Sequence, residues 1–246
     1  MKQRNKQIVL EGRNMVHDGL SSPQTIETVL ISSSVISDPK IVEIQKLAQK
    51  KGVRVQMVKP NDLTKYSESK NPQGVVAFMS EPEQPSFEQI LKEKRDVFIL
   101  LLNGIDYEQN MGAILRTAWG AGVDAVVASP NGVHKITSVV AKVSMGAAAY
   151  VPLIGMSLFQ AIKLLHDYAV PLVGIEVDKG ESIYKTNLRG PVALMLGGEE
   201  VGLSEPLMSE CDALANIPMN QELASLNVSV ATALCLFEKR RQENAL

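Results

Sequence analysis

The stretch from Ile217 to Arg241 reads IPMNQELASLNVSVATALCLFEKRR, and its pattern decides much of the fold. A short apolar run ends at Pro218, a polar loop follows, and Ser225-Leu226-Asn227 opens what we predict to be a long helix, buried for most of its length. A Ser and an Asn at the mouth of a buried helix must be hydrogen-bonded. They either cap the helix, for which these residue types are usual, or form a ligand or catalytic site at its start. This stretch alone leaves both readings open.

The composition is that of an ordinary globular protein. The chain has 246 residues, 45% of them hydrophobic and 21% charged, and its formal net charge is −2, which argues against a wholly basic nucleic-acid coat. Cys211 and Cys235 lack metal-site spacing and are typical of core thiols in a reducing compartment. The N-terminal segment lacks the apolar core of a signal peptide, and no apolar run reaches bilayer length. We therefore expect a cytoplasmic protein without a membrane or metal partner.

The chain is predicted to divide near residues 80–86, where a polar stretch contains two prolines. Strand-like runs alternate with helical runs on both sides of it, which favours parallel βαβ units and an α/β fold. The predicted strands are Thr28–Ser32, Val53–Val58, Gly74–Met79, Val97–Leu102, Ala125–Ala128, Leu172–Ile175, Val192–Leu196 and Ala213–Ile217. We predict a small α/β domain over residues 1–80, a linker and first helix over 81–95, and a larger α/β domain over 96–246.

Ligands of open α/β sheets bind at the carboxyl ends of the strands, and three loops there have unusual compositions. The first reads NGIDYEQNMGAILRTAWGAG over residues 103–122. It is predicted to place Asn110 just before a helix and Arg116 near the helix start, where backbone N–H groups favour an anion. An arginine fork there suits a phosphate. The alternative is a capping asparagine and a solvated arginine.

The second loop reads GGEEVGLSE over residues 197–205. Its adjacent glycines allow the backbone to approach a ligand closely, and Glu199 follows them directly. The spacing is neither the dinucleotide-binding fingerprint nor a Walker loop. A turn followed by a helix cap explains this loop about as well as a ligand site does.

Taken together, NMGAILRTAWGAG, LMLGGEEVGL and IPMNQELASLNVSVATALCLFE resemble, in order and spacing, the three motifs of the SpoU/TrmH family of RNA 2′-O-ribose methyltransferases. The resemblance spans roughly residues 96–241. It implies a parallel sheet whose C-terminal segment threads a loop to form a deep trefoil knot (the SPOUT fold). The segments EGRNMVHDGL and GVVAFM more loosely resemble the small RNA-binding α/β domain that many members carry at their N-terminus.

The resemblance also implies a site. S-adenosyl-L-methionine would lie against Gly197, Gly198, Ile217, Met219 and Leu226, and the catalytic positions would be Asn110, Arg116, Glu199, Ser225 and Asn227. The expected reaction is attack of a ribose 2′-oxygen on the sulfonium methyl, which requires an in-line approach. Because a guanidinium is effectively always protonated, we interpret Arg116 as a clamp on phosphate and on the developing oxyanion rather than as a base.

Two positions depart from the family pattern. Tyr107-Glu108 stands where members commonly carry Asp-Pro, and Gln221 stands where a glycine is common. Both lie in loops, so they affect the expected pose of the substrate more than the fold. Because all five catalytic positions are retained, we expect an active enzyme.

Expected partners follow from the resemblance. Family members are usually homodimers that use the first-motif and C-terminal helices, although a wholly internal C-terminal helix is the alternative. Candidate RNA contacts are Arg116, Arg13, Lys70, Lys135 and Lys142. The accessory domain favours ribosomal (23S-type) over transfer RNA as substrate. The remaining alternatives are a non-catalytic RNA-binding or assembly protein and, remotely, an unrelated nicotinamide-dependent enzyme.

Overall fold

The structure is a computed structural model that describes residues 7–21, 25–67, 71–80, 84–198, 202–220 and 223–244. The chain forms two compact units. The first unit comprises Met1–Glu83 and Ile136–Ala149, and the second comprises Gln84–Lys135 and Tyr150–Leu246. The division after Glu83 falls within the predicted linker region. The segment Ile136–Ala149, however, groups with the first unit, whereas the predicted second domain ran unbroken from residue 96 to residue 246.

The first unit contains a mixed sheet and short helices, with elements numbered along the whole chain. Its elements are β1 (Gln7–Glu11), α1 (Arg13–Ser21), β2 (Ile26–Ser32), α2 (Pro39–Lys50), β3 (Arg54–Val58), α3 (Pro60–Leu63), β4 (Val75–Ser80) and α6 (Ser138–Val143), with 3₁₀ turns at Ser33–Val35, Thr64–Tyr66 and Ala147–Ala149. The strand order is β1-β4-β2-β3. Helices α1 and α2 pack together, and α6 contacts β1.

Strand β4 corrects the prediction of parallel pairing throughout. Strands β2 and β3 are parallel, but β4 runs antiparallel to both β1 and β2. The described part of the connection from β3 to β4 contains only a one-turn helix and a 3₁₀ turn. A parallel return needs a longer crossover, usually an α-helix, so β4 enters the sheet from the edge at which β3 ends.

Local sequence explains where the helices of the first unit begin. Asp38 precedes α2 with extended backbone, and its Oδ1 accepts hydrogen bonds from the N–H groups of Lys40 (3.0 Å) and Ile41 (3.4 Å). Pro39 occupies the first helical position, where its missing N–H costs nothing. Beneath the sheet, Leu30 and Val76 pack with Leu63 in a small core.

The second unit is built on a seven-stranded, wholly parallel sheet, which confirms the predicted fold class. Its elements are α4 (Phe87–Glu93), β5 (Phe98–Asn103), α5 (Glu108–Ala121), β6 (Ala125–Ala128), β7 (Leu153–Gly155), α7 (Leu158–Asp167), β8 (Leu172–Ile175), β9 (Glu181–Ser182), β10 (Val192–Gly197), α8 (Glu205–Ser209), β11 (Ala213–Asn216) and α9 (Val228–Asn244). The strand order is β7-β6-β5-β10-β8-β11-β9.

The pairing of β5 with β10 positions two of the predicted motifs. Residues on the two strands are aligned so that Leu102 lies beside Leu196 and Asn103 beside Gly197. Both strands are buried up to their last residue, which is why their sequences read as continuous apolar runs. Since the strands are parallel and end level with each other, the first and second motif loops leave the sheet side by side.

Helix α9 differs from its prediction in two ways. It begins at Val228, so Ser225 and Leu226 lie in the segment before it and Asn227 is the residue that caps it. The prediction that it is buried for most of its length is also wrong. The helix packs on α5, but three of its apolar side chains, Val230, Leu234 and Phe237, are 47%, 38% and 50% exposed.

Members of the family that the sequence resembles form a trefoil knot, in which the chain threads through one of its own loops. A knot in the present chain stays a prediction. In the described part of the chain, none of the helices is both long enough and apolar enough to span a membrane.

Candidate active site

Two glycines of the second motif, Gly198 and Gly202, are fastened to the end of β5. The N–H of Gly198 donates to the carbonyl of Asn103 (2.7 Å), and the N–H of Gly202 donates to the carbonyl of Gly198 (3.0 Å). The Asn103 side chain binds the second glycine, because its Nδ2 donates to the carbonyl of Gly202 (3.1 Å). Hydrogen bonds to the neighbouring strand therefore fix the positions of both glycines.

The paired glycines are required by the chain's own backbone packing. A Cβ built on Gly197 would lie 2.1 Å from the carbonyl of Gly202, and one built on Gly198 would lie 2.0 Å from the carbonyl oxygen of Gly104. Such distances exclude any side chain, since the obstructing atoms are backbone. The sequence suggested close approach to a ligand. In the structure the glycines approach the chain itself, and the backbone so packed also lines a cavity.

Sequence reasoning missed Glu176, which binds the backbone of Leu203, directly after the second of these glycines. It directly follows β8, and its Oε1 accepts a short hydrogen bond from the N–H of Leu203 (2.6 Å). It also lines the cavity. The available signal was its place at the carboxyl end of a predicted parallel strand, Leu172–Ile175, where ligand sites of such sheets lie.

A cavity of about 120 Å³ lies beside these glycines. All five predicted cofactor positions line it, namely Gly197, Gly198, Ile217, Met219 and Leu226. So do Ser225 and further apolar residues from the strand ends and from α9, which are Ile175, Val177, Leu196, Val228 and Ala231. Apolar walls of this kind suit a planar ring, so the residues present fit the adenine of S-adenosylmethionine. The second and third motifs meet at this cavity as expected.

Asn227 joins this region to the first motif. Its Oδ1 accepts hydrogen bonds from the N–H (3.0 Å) and the hydroxyl (2.6 Å) of Ser229, which is the bond pattern of a helix cap. Its Nδ2 donates to Oδ1 of Asn110 (3.1 Å). The capping reading is therefore confirmed for Asn227, and the same side chain also binds a first-motif residue. A ligand or catalytic role at this helix start stays a prediction.

Arg116 and Asn110 do not occupy the predicted positions at the start of α5. The helix begins at Glu108 after Tyr107, which makes no side-chain capping bond, so Asn110 lies in the first turn. Six helical residues rise about 9 Å and turn about 600°, which places Arg116 on a different face from Asn110. Arg116 is exposed and forms no ion pair or side-chain hydrogen bond with the residues that the structure describes.

Several predicted positions cannot be placed. Glu199, Gln221 and Lys70 lie outside the described residues. Of the other departures from the family pattern, Tyr107 is 58% exposed and Glu108 is half-buried at the start of α5. Their effect on the substrate pose stays a prediction.

The predicted RNA contacts in the first unit differ in how free their charges are. The Arg13 guanidinium is partly used within the unit, because its Nη1 pairs with Asp38 (2.6 Å) and its Nε donates to the carbonyl of Gln73 (3.2 Å). Lys142 is exposed on α6. Lys135, in the second unit, is also exposed. Their role in RNA binding stays a prediction.

The two cysteines have environments that disfavour reactivity. Burial raises the pKa of the Cys211 thiol to about 11 and that of the Cys235 thiol to about 12. Thiolates are the reactive form, so neither side chain is suited to act as a nucleophile near neutral pH. Among the described residues, no group of three or more His, Cys, Asp or Glu side chains is arranged to hold a metal ion.

Comparison with known proteins covers both units. Residues 97–237 match the model of the SpoU rRNA Methylase family, and residues 9–85 match that of the RNA 2′-O ribose methyltransferase substrate binding domain. The chain is 38% identical over 196 residues to the 23S rRNA (guanosine-2′-O-)-methyltransferase RlmB of Haemophilus influenzae, covering 78% of this chain and 80% of the relative. It is 34% identical to the RlmB of Xanthomonas axonopodis pv. citri, covering 98% of each.

Solved structures give the same result for the fold. A crystal structure of an RNA 2′-O ribose methyltransferase superposes with a TM-score of 0.78 at 27% identity, covering 98% of this chain and 90% of that one. The SpoU methyltransferase AviRb from Streptomyces viridochromogenes, solved in complex with the cofactor AdoMet, superposes with a TM-score of 0.83 at 20% identity, covering 98% and 92%.

Proposed function

Because this chain belongs to the SpoU rRNA methylase family, we propose that it methylates the 2′-hydroxyl of a guanosine in large-subunit ribosomal RNA. Its cofactor is S-adenosyl-L-methionine. The choice of ribosomal over transfer RNA, and of guanosine, is supported by the names of the two curated relatives, whose matches cover at least 78% of both chains.

One observation in the structure carries the proposal. The five positions expected to hold the cofactor line a single cavity, and the Asn227–Asn110 hydrogen bond connects the start of α9 beside that cavity to the first motif. A reaction between a bound methyl donor and an RNA ribose needs such an arrangement, with the cofactor pocket and the residues that orient the hydroxyl adjacent to each other.

The side chains then have distinct tasks. Bound S-adenosylmethionine supplies an electrophilic methyl group at its sulfonium. Ser225, at the cavity, and the amides of Asn110 and Asn227 orient the ribose by hydrogen bonds. The guanidinium of Arg116 holds an RNA phosphate and stabilises charge that develops on the 2′-oxygen. Because that guanidinium stays protonated, the hydroxyl proton leaves to water or to a neighbouring phosphate.

We also infer a homodimer formed through the exposed sides of α5 and α9. Val230, Leu234 and Phe237 recur at helical spacing on the outward side of α9 and are all more than one third exposed. On α5, Trp119 is 47% exposed and stacks on Tyr150 with ring centroids 4.4 Å apart. Contiguous exposed apolar side chains of this kind mark interaction surfaces in soluble proteins.

A dimer would also give Arg116 a place in catalysis. Arg116 lies three and four residues before Trp119 and Gly120, so it shares their side of α5. A Cβ on Gly120 would be 3.9 Å from Phe237, which links this side of α5 to the apolar surface of α9. Dimerisation through these helices would bring Arg116 to the partner's surface. We therefore propose that it serves the partner's active site.

The test is methyl transfer from tritiated S-adenosylmethionine to ribosomal and transfer RNA purified from cells that lack the protein, followed by mapping of 2′-O-methyl positions. Labelling of one guanosine in 23S rRNA supports the proposal. Labelling of transfer RNA alone would mean that transfer RNA is the substrate, and no incorporation by a protein that binds the cofactor would favour a non-catalytic role.

The proposal includes a cytoplasmic location, with which the free thiols of Cys211 and Cys235 are consistent.

A further inference from the structure

The first unit contains a cavity much larger than the one beside the motifs. Its volume is about 720 Å³, which lies in the range typical of small-molecule sites. It lies between the β1–α1 corner and the segment that contains α6, both within this unit. Residues of β1 and α1 line one side, residues of α6 and the following turn line the other, and Asn71, Gln73 and Met79 also contribute.

Two strained backbone positions border this cavity. Among the described residues, three that are not glycine have positive φ, and two of them, Gln73 (φ 53°) and Met145 (φ 52°), line it. Such residues are uncommon because the side chain crowds the backbone, and they concentrate where ligands are held. The Gln73 side chain is also held in place, since its Oε1 accepts a hydrogen bond from the N–H of Arg13 (3.3 Å).

The chemistry of the lining suits a flat, neutral, polar ligand. Met15, Met79 and Val139 supply apolar surface, and Met145 adds a flexible thioether that is 57% exposed. Asn14, Asp18, Asn71 and Gln73 supply amides and a carboxylate, which offer donors and acceptors together. Among the described residues that line the cavity, Lys142 is the only lysine or arginine, and the carboxylates of Glu11 and Asp18 accompany it, so this lining is poorly suited to a phosphate chain.

We propose that this cavity receives an unstacked nucleobase of the RNA substrate, with the thioethers against its faces and the amides and carboxylate along its edge. Sequence-specific recognition of RNA mostly uses bases splayed out of single-stranded segments in this way. The proposal rests on the proposed function in one respect, because it assumes that the bound base belongs to the RNA that the protein methylates. Lys142, at the edge of the cavity, contacts the adjoining phosphate.

Methionine-methyl NMR of the full chain tests the site directly. The chain has ten methionines, of which Met15, Met79 and Met145 line this cavity and Met219 lines the cofactor cavity. We expect guanosine 5′-monophosphate to shift the three first-unit signals and S-adenosylhomocysteine to shift Met219. Ribose 5-phosphate, which lacks the base, should leave the three signals in place. Equal shifts with ribose 5-phosphate, or nucleotide shifts confined to Met219, overturn the proposal.

A variant that fills the cavity tests whether the cavity takes part in RNA recognition. Ala141 is half-buried on α6 and lines the cavity, so Ala141→Phe should abolish the nucleotide shifts and raise the KM for RNA about tenfold, as expected for the loss of one stacked base. The kcat at saturating RNA and the Met219 response should not change. Gln49→Phe, on the exposed end of α2, adds the same ring outside the cavity and serves as the matched control.

Asn14→Ala provides a second variant at an exposed position that leaves the packing of α1 intact, and it should weaken the nucleotide shifts in the same direction. An unchanged KM for RNA in the filled variant overturns the role in RNA binding. If the wild-type protein methylates no RNA, the proposed function fails. The NMR titration still judges the cavity independently, because it needs neither turnover nor an RNA target.

Discussion

Helices α5 and α9 both carry predicted catalytic residues, but they hold them in opposite ways. On α9 the site residue is the cap itself, since Asn227 binds Ser229 and Asn110 at the same time. On α5 no side chain caps the start, and Arg116 lies two turns into the helix with its guanidinium exposed. An amide fixed by capping is already ordered before substrate binds, whereas a free arginine is ordered by what binds it. The two helices therefore differ in what orders the predicted site residue. On α9 the chain itself orders it, and on α5 the molecule that binds Arg116 does.

The largest effect on activity should come from a substitution of Arg116, the exposed residue on α5. Arg116→Ala should lower kcat for RNA methylation about 10²- to 10³-fold, the loss typical of one group that stabilises an oxyanion. Cofactor affinity and the melting temperature should stay the same, because Arg116 contacts neither the cavity nor another charge among the described residues. Single-turnover kinetics measures the rate of methyl transfer, a cofactor titration measures the affinity, and thermal denaturation measures the melting temperature. Arg95→Ala, another exposed arginine in the second unit, is the matched control.

Mixing two impaired variants sharpens the same point. If Arg116 serves the partner's active site, a mixture of Arg116→Ala protomers and Asn227→Ala protomers should regain activity through heterodimers that contain one intact site. Failure to regain activity in a verified heterodimer would mean that Arg116 acts within its own protomer or does not contribute to catalysis.

The next effect concerns the outward sides of the two helices. Leu234→Glu should shift the dimer–monomer equilibrium toward monomers by roughly a hundredfold, because an uncompensated carboxylate in an apolar interface costs about 3 kcal/mol. Sedimentation equilibrium measures this shift. Phe159→Glu changes an equally apolar side chain that is 50% exposed on α7, and it should leave the dimer intact. A wild-type protein that is monomeric at micromolar concentration would contradict the dimer.

The same pair of helices shows how far sequence reasoning reaches. Five of the seven strands of the second unit were predictable because buried parallel strands read as uninterrupted apolar runs, as in Phe98–Asn103 and Val192–Gly197. The short strands β7 and β9 were not predicted. The residues that line the smaller cavity were predictable as a group because they follow those strands in recognisable motifs. Helix periodicity did not reveal which side of α9 faces the protein interior, since apolar side chains occur all round it, including Val230 and Phe237.

The large cavity of the first unit was not predictable from the sequence. Its two sides come from residues near position 15 and from the segment Ile136–Ala149, which are far apart in the chain and share no motif. The antiparallel direction of β4 was missed for a similar reason, because strand direction depends on the connecting path rather than on the strand's own sequence. Glu176 was overlooked although its place after β8 was visible.

A smaller effect separates the two tasks of Asn227. Asn227→Asp keeps an oxygen for the cap but loses the donor to Asn110, so it should lower kcat about tenfold with little change in the free energy of unfolding. Asn227→Ala loses both tasks and should also cost about 1 kcal/mol of stability, as is usual for a lost N-cap. Urea unfolding and steady-state kinetics measured on both variants decide this. Wild-type kcat in both variants, together with unequal stability, would reduce Asn227 to a cap.

The smallest effect lies at the opposite end of α9, where charge rather than capping fixes the helix. Lys239 is nearly buried, donates to the carbonyl of Gly190 (2.8 Å) and pairs with Glu243. The Lys239 ammonium and the N–H of Gly190 hold the pKa of the Glu243 carboxyl below its ordinary value of 4.5. A lowered pKa in the folded state means that ionised Glu243 stabilises the protein above about pH 4.5, and that this contribution is lost as the pH falls through the folded-state pKa.

Glu243→Gln should therefore lower the free energy of unfolding by less than about 1 kcal/mol at pH 7, since the carboxylate is 41% exposed, and the difference from wild type should shrink toward pH 4. Glu93→Gln, which removes an exposed carboxylate that has no ion pair among the described residues, is the control. Urea titrations at pH 7, 5.5 and 4 give the comparison. A difference that stays constant across this range would mean that the Glu243 side chain holds this end of α9 by hydrogen bonding alone, without a contribution from its charge.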